Sequence, residues 1–259
     1  MRFRTAYIGW RGTSVRDYTD TGFLEYVVHS LEHRKWFRSF RAESENEKGI
    51  REIKEKYNGQ SDMMVEEIYD FCNHPNMKLL CGLKLAKLRE ITTNYVKENL
   101  KGKLEKDLLE PLIKSKKKQG GLDRVVIGPT PAYEGEIRET LTQNGYSPDL
   151  FGFLCNPLDK KADRNSVKRF RLDINDPESR QRYLKVDVGL RGKLKPSEII
   201  YIGSTGKDIN CLAYISDNGG LAIISPLASE EFRDKMKKAL GEHKASFPGT
   251  MTDFAKLLE

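Results

Sequence analysis

No apolar run in the 259 residues approaches the roughly 18 needed to cross a bilayer. The opening Met1-Arg2-Phe3-Arg4 leads into a short strand-like run, not the apolar stretch of a secretory leader. A soluble, cytoplasmic protein is therefore expected. Cysteine is scarce: Cys72, Cys81, Cys155 and Cys211 stand alone, with no C-x-x-C pair. That excludes a zinc knuckle and a thioredoxin-type motif, and it suits a reducing compartment. Histidine is equally sparse. His29 and His33 share a helical face at i,i+4, but they lack the glutamate placement of a metalloprotease helix and a third ligand nearby in sequence, so zinc is not expected. A Walker A loop is also missing, because the glycine required five residues before Gly206 is Tyr201 and the residue after Lys207 is Asp208. There is no C2H2 spacing, no RNP1-like motif and no internal repeat.

What is present fits a globular chain: 38% hydrophobic and 32% charged residues, enough to bury a sizeable core. The net charge is +7, which favours acidic partners and leaves nucleic acid possible. The densest basic stretch, residues 97–118, holds eight lysines interleaved with Glu98, Glu105, Asp107 and Glu110. Its spacing predicts a solvated helix with i,i+4 pairs before it predicts a phosphate-tracking patch.

Residues 3–8 read as a buried strand ending at Gly9. Phe23, Leu24, Val27, Val28 and Leu31 then form one face of a helix that continues towards Trp36, Phe37 and Phe40. Residues 42–62 read as a linker or an exposed helix anchored by Ile50 and Ile53. Ser61-Asp62 is placed to cap the next helix, with Val65, Ile68, Tyr69 and Cys72 on its apolar face. Residues 23–118 are therefore almost entirely helical. At Gly120-Gly121 the character changes. Residues 124–127, 150–154, 199–202 and 221–224 read as strands, with helices at 134–144 and 229–240. Strand–turn–helix units in series predict a parallel α/β sheet. Ligands of such sheets sit at the carboxyl ends of the strands, so the loops leaving Gly9, Gly128 and Gly203 are where chemistry is expected.

Those loops, in that order, resemble the motifs of the haloacid-dehalogenase (HAD) superfamily, most closely its phosphoserine-phosphatase-like branch. The first motif, an apolar strand then Asp-x-Asp-Gly-Thr, corresponds to Ala6-Tyr7-Ile8-Gly9-Trp10-Arg11-Gly12-Thr13. The second, a strand ending in Ser or Thr, corresponds to Val125-Val126-Ile127-Gly128-Pro129-Thr130. The fourth, a strand ending in Gly-Asp-x-x-x-Asp, corresponds to Ile199-Ile200-Tyr201-Ile202-Gly203-Ser204-Thr205-Gly206-Lys207-Asp208. The resemblance covers nearly the whole chain. It implies a HAD-like Rossmannoid core at 1–22 and 119–259, with a parallel sheet, and a helical cap inserted at 23–118.

The chemistry that the resemblance implies is interrupted. Gly9 stands where the family has its nucleophilic Asp, and Arg11 where it has its acid/base Asp. Gly128 replaces the second-motif hydroxyl, although Thr130 is near, and Ser204 replaces a metal-binding Asp, while Asp208 is kept. For the third-motif Lys, Lys185 is the best match, ahead of Lys193 and Lys195. Family members transfer a phosphoryl group to a carboxylate with Mg²⁺ balancing charge. A guanidinium ~4 Å from that ion would repel it by about 8 kcal/mol at an effective dielectric of ~20. The expectation is thus a pseudo-phosphatase with no catalytic residues, no metal and no cofactor. It would bind a phosphorylated ligand or a macromolecular partner. Arg11, Lys207 and Lys185 would hold an anion, with Thr13, Thr130 and Ser204 as donors; otherwise Arg11 would pair with Asp208 and plug the site. Two alternatives stand beside it: an active Mg²⁺-dependent phosphomonoesterase with an atypical site, and a basic nucleic-acid-binding or assembly subunit.

Overall fold

The computed structural model describes residues 3–16, 21–32, 45–58, 61–73, 80–162, 164–190, 194–241 and 244–258. Trp36, Phe37, Phe40, His33 and Lys193 lie outside them.

Three apolar runs form the centre of a sheet because each is buried on both faces, as parallel strands covered by helices must be. They are β1 (Thr5–Ile8), β2 (Arg124–Tyr133) and β6 (Ile199–Gly203). With β3 (Phe151–Asn156), β7 (Leu221–Ile224) and β8 (Ala245–Ser246) they make a six-stranded, wholly parallel sheet in the order β3-β2-β1-β6-β7-β8. The order reverses at β1, which creates a switch point between β2 and β6. Register sets its geometry. Ile8 pairs with Ile127 on one side and with Ile202 on the other. Gly9, Gly128 and Gly203 therefore follow these paired positions side by side, at one height.

Between β1 and β2 the chain is helical, as expected: α1 (Gly22–Glu32), α2 (Glu45–Lys56), α3 (Asp62–Asn73), α4 (Leu85–Tyr95) and α5 (Lys106–Lys117), with a π-turn at Val96–Leu100 after α4. The charged 42–62 stretch contains the α2 helix, held by buried Ile50 and Ile53. The Ser61 hydroxyl caps α3 by accepting from the Met64 amide at 3.1 Å.

After β2 come α6 (Glu134–Gln143), α7 (Pro177–Leu190), α8 (Ile209–Asp217), α9 (Glu230–Leu240) and α10 (Met251–Lys256). A separate antiparallel hairpin joins β4 (Leu158–Lys160) to β5 (Val167–Phe170). Two apolar clusters flank the sheet. One packs Ile8, Ile127 and Ile202 against α1, α3, α4 and α5, and the other packs Tyr7, Val126 and Tyr201 against α7, α8 and α9. Among the described residues, no helix is long and apolar enough to cross a membrane.

One element differs from the reading of 128–133 as a loop. β2 runs on through Pro129 and Pro131 to Tyr133, with two register shifts against β3. Asn156 holds this extension: its amide nitrogen donates to Pro131 O (3.0 Å) and Ile174 O (3.3 Å), and its carbonyl accepts from the Asp173 and Ile174 amides.

Candidate functional site

The loop after β1 is packed inward. Trp10, Thr13 and Ser14 have no exposed surface, and Arg11 is 6% exposed. The Ser14 hydroxyl donates to Gly9 O at 2.6 Å and closes the turn. Across from it, the Ser204 hydroxyl donates to Gly12 O (2.6 Å), so the Thr13 hydroxyl, 2.6 Å from Ser204 Oγ, is the donor of that pair. Thr13 and Ser204 thus stitch the loop after β1 to the loop after β6, and both hydroxyl protons are spent within the protein.

Asp208 lies one turn beyond Ser204 and is buried. Its Oδ2 accepts from the Ser204 amide (3.1 Å), the Thr205 amide (3.1 Å) and the Thr205 hydroxyl (3.0 Å). Its Oδ1 accepts from the Tyr201 hydroxyl and from Arg180 Nη1, both at 3.1 Å. Burial holds the Tyr201 phenol well above its usual range, and the Asp208 charge adds to that, so the phenol stays a donor. Five donors fill the roughly four lone-pair sites of a carboxylate.

Arg11 does not pair with Asp208. Its Nη2 lies 2.8 Å from Glu136 Oε1 and donates to Glu136 Oε2 at 2.9 Å and to the Tyr95 hydroxyl at 3.4 Å. Glu136 also accepts from Trp10 Nε1 at 3.2 Å. The cause is positional. Arg180, in the first turn of α7, already occupies Asp208, while α6 begins at the end of β2 and brings Glu136 to the loop that carries Arg11. The expected Arg11–Asp208 pair is thus replaced by two others, Arg11–Glu136 and Arg180–Asp208.

The remaining expected residues scatter. Lys185 is not at the strand ends: it bonds Gln181 at 3.2 Å and lies 4.9 Å from the Tyr214 ring centroid, on the outer side of α7. The cation beside Asp208 is Arg180, five residues earlier on α7. Lys195 sits in the turn before β6, at the opposite end of that strand. Lys207 reaches Asp62 Oδ1, 2.7 Å away, in the first turn of α3. Thr130 is buried in the β2 extension, where its hydroxyl accepts from the Ala132 amide at 3.3 Å. Gly128 has φ +120°, and a Cβ there would stand 2.0 Å from Leu154 O, so no side chain fits at this position.

Sequence reasoning missed Glu136 and Arg180. Neither lies in a recognisable motif. The signal available was a charged residue in the first turn of a helix that follows a strand end.

Mg²⁺, which the resemblance to the HAD motifs implies, does not fit these residues. It needs carboxylate oxygens free to bind it. Asp208 has its lone pairs committed, Gly9 offers no oxygen from a side chain, and Ser204 holds Gly12. Among the described residues no group of three or more His, Cys, Asp or Glu side chains is placed to hold a metal ion. A groove of about 590 Å³, lined in part by Tyr26, His29, Ile50, Lys54, Tyr95 and Lys103, opens elsewhere and meets this site through Tyr95.

No family model matches the chain, and no curated protein matches its sequence. Solved structures do match in three dimensions. A protein of unknown function from Bordetella pertussis Tohama I is similar over 95% of this chain and 98% of its own, with 10% identity and a TM-score of 0.61. A phosphoserine phosphatase, in a phospho-aspartyl intermediate analogue, is similar over the whole of both chains, at 12% identity and TM-score 0.54. A HAD family hydrolase from Salmonella enterica serovar Typhi is similar over 91% of this chain and 66% of its own, at 16% identity and TM-score 0.50. These likenesses show the fold: a HAD-like α/β core with helical insertions.

Proposed function

We propose that this chain is a HAD-fold protein without phosphoryl-transfer chemistry, acting by binding. The observation that carries the reading is the state of Asp208, a buried carboxylate with five hydrogen-bond donors including a guanidinium. A nucleophile or metal ligand needs an uncommitted oxygen, and the neighbouring positions hold Gly9, Arg11 and Ser204. Arg11 and Lys207, the cations expected to grip an anion, are engaged by Glu136 and Asp62. With residues 9–15 buried, the strand ends favour a macromolecular partner on the outer surface over a small phosphorylated ligand within. In this reading residues 23–118 form a cap on a core of 1–22 and 119–259, joined by the Lys207–Asp62 pair and by the Tyr69 hydroxyl on Pro131 O, 3.4 Å away. Four free thiols suit a cytoplasmic location.

The test is hydrolysis of p-nitrophenyl phosphate with Mg²⁺, run on the wild type and on Asp208→Asn, beside calorimetric Mg²⁺ titration. Background rates from both proteins and no heat of binding are expected. Metal-dependent turnover that Asp208→Asn abolishes would overturn the proposal.

A further inference from the structure

Between residues 158 and 171 the chain carries Lys160, Lys161, Arg164, Lys168, Arg169 and Arg171 against two acids, Asp159 and Asp163. The fold turns this stretch into the β4–β5 hairpin. Val167 and Phe170 point inward, while Lys160, Lys161, Arg164, Lys168 and Arg169 are exposed. Asp159 is already engaged by Arg169 Nε at 2.8 Å and lies 3.8 Å from Arg171. Lys160, Lys161, Arg164 and Lys168 make no ion pair among the described residues.

The β5 side of the hairpin is tied to the segment before α4. Gly82 N donates to Val167 O (2.8 Å), Val167 N to Leu83 O (2.8 Å) and Leu85 N to Asn165 O (2.9 Å), which lays residues 82–85 along β5. Lys84 Nζ reaches Ser166 Oγ at 3.1 Å, and Lys161 Nζ lies beside Gly82. These backbone bonds fix the hairpin's main chain at the start of α4, so its basic side chains project from a preset scaffold.

We propose that this basic hairpin docks the phosphate backbone of duplex DNA. Several observations select that partner. The surplus charge is positive and clustered, as phosphate neutralisation requires. The hairpin's one aromatic, Phe170, is buried, so it offers no platform for stacking unpaired bases. Its exposed tip has Ala162 as its only apolar side chain among the described residues, which gives little to embed in a lipid interface. With its inner face buried and β5 flanked by residues 82–85, the hairpin meets a duplex through its exposed basic side chains along the phosphates and not by entering a groove. This inference goes beyond the non-hydrolytic reading and does not depend on it.

The experiment measures fluorescence polarisation of a labelled mixed-sequence DNA duplex with the full chain across a salt series. The variant Lys160→Gln/Lys161→Gln/Arg164→Gln should bind at least tenfold more weakly, and its salt slope should fall by about 0.9 for each phosphate that is no longer neutralised. A control that removes equal charge from α5, Lys106→Gln/Lys114→Gln/Lys117→Gln, should keep wild-type affinity. If the hairpin triple variant lowers the thermal midpoint, single Lys161→Gln and Arg164→Gln variants carry the comparison. Absence of DNA binding, equal loss in the two triple variants, or stronger binding of an RNA duplex or of phosphatidylserine vesicles would each overturn the proposal.

Discussion

Arg11 and Glu136 are among the least exposed charges in the protein, at 5% and 0% of their side-chain surfaces. A buried pair of this kind adds little net stability as a pair, but removing one partner strands the other in a medium that cannot solvate it. Glu136→Gln is therefore expected to cost about 3–5 kcal/mol in urea denaturation. Adding Arg11→Met to that variant should recover much of the loss, because no uncompensated charge then remains and Gln can still accept from Trp10. Additive losses in the double variant would show that the two side chains act independently. At this scale the sequence was half legible. That positions 9, 11 and 204 hold glycine, arginine and serine, none of them a carboxylate, can be read directly from the sequence. The partner of Arg11 cannot, since Glu136 is 125 residues away in the chain and is brought near only by the β2–α6 turn.

Elements were legible where periodicity was clean. The runs behind β1, β2, β6 and β7 are short, β-branched and bounded by glycine or turn residues, and α1 shows an unbroken helical stripe. α7 is harder to read. Leu184, Val186, Val188 and Leu190 alternate as a strand would, yet the helix buries Leu184 and Val188 and leaves Val186 and Leu190 exposed. What starts α7 is Asp176, whose carboxylate accepts from the Glu178 amide (2.8 Å) and the Ser179 amide (2.9 Å). Burial alone would raise this carboxyl, but its bonds to Ser179 and Glu178 outweigh that and hold it below the usual range. A depressed value means that folding favours the charged form. The contribution is complete above the unfolded value of about 3.9 and is lost as the pH falls through the folded one. Asp176→Ala should cost about 1 kcal/mol at neutral pH, with the gap from wild type closing below about pH 4. A gap that stays constant into acid would argue against the charged cap. The short β4–β5 hairpin was invisible in sequence because three- and four-residue strands carry too few alternations to stand out.

At the scale of the whole molecule, burial also sorts the thiols. Cys72, Cys155 and Cys211 are each pushed up to about 12 by burial, while Cys81 is exposed. Since the thiolate is the reactive form, Ellman's reagent at neutral pH should titrate one thiol quickly and three more only in denaturant. A second fast thiol would point to Cys155, which is only partly buried.

The exchanged pairing at the strand ends also bears on how this sequence can change. Replacing Arg11 by aspartate alone would set two buried carboxylates against each other, with Glu136 losing its counter-ion. Replacing Gly9 alone would drive a Cβ to within 2.8 Å of Thr13 Oγ1. Removing Arg180 would take the counter-ion from Asp208 and still leave four donors on its oxygens. Each single step towards a phosphatase centre therefore carries a cost in stability. In the non-hydrolytic reading proposed above, the chain occupies a cul-de-sac in sequence space, from which a phosphatase centre is reached only by several changes made together.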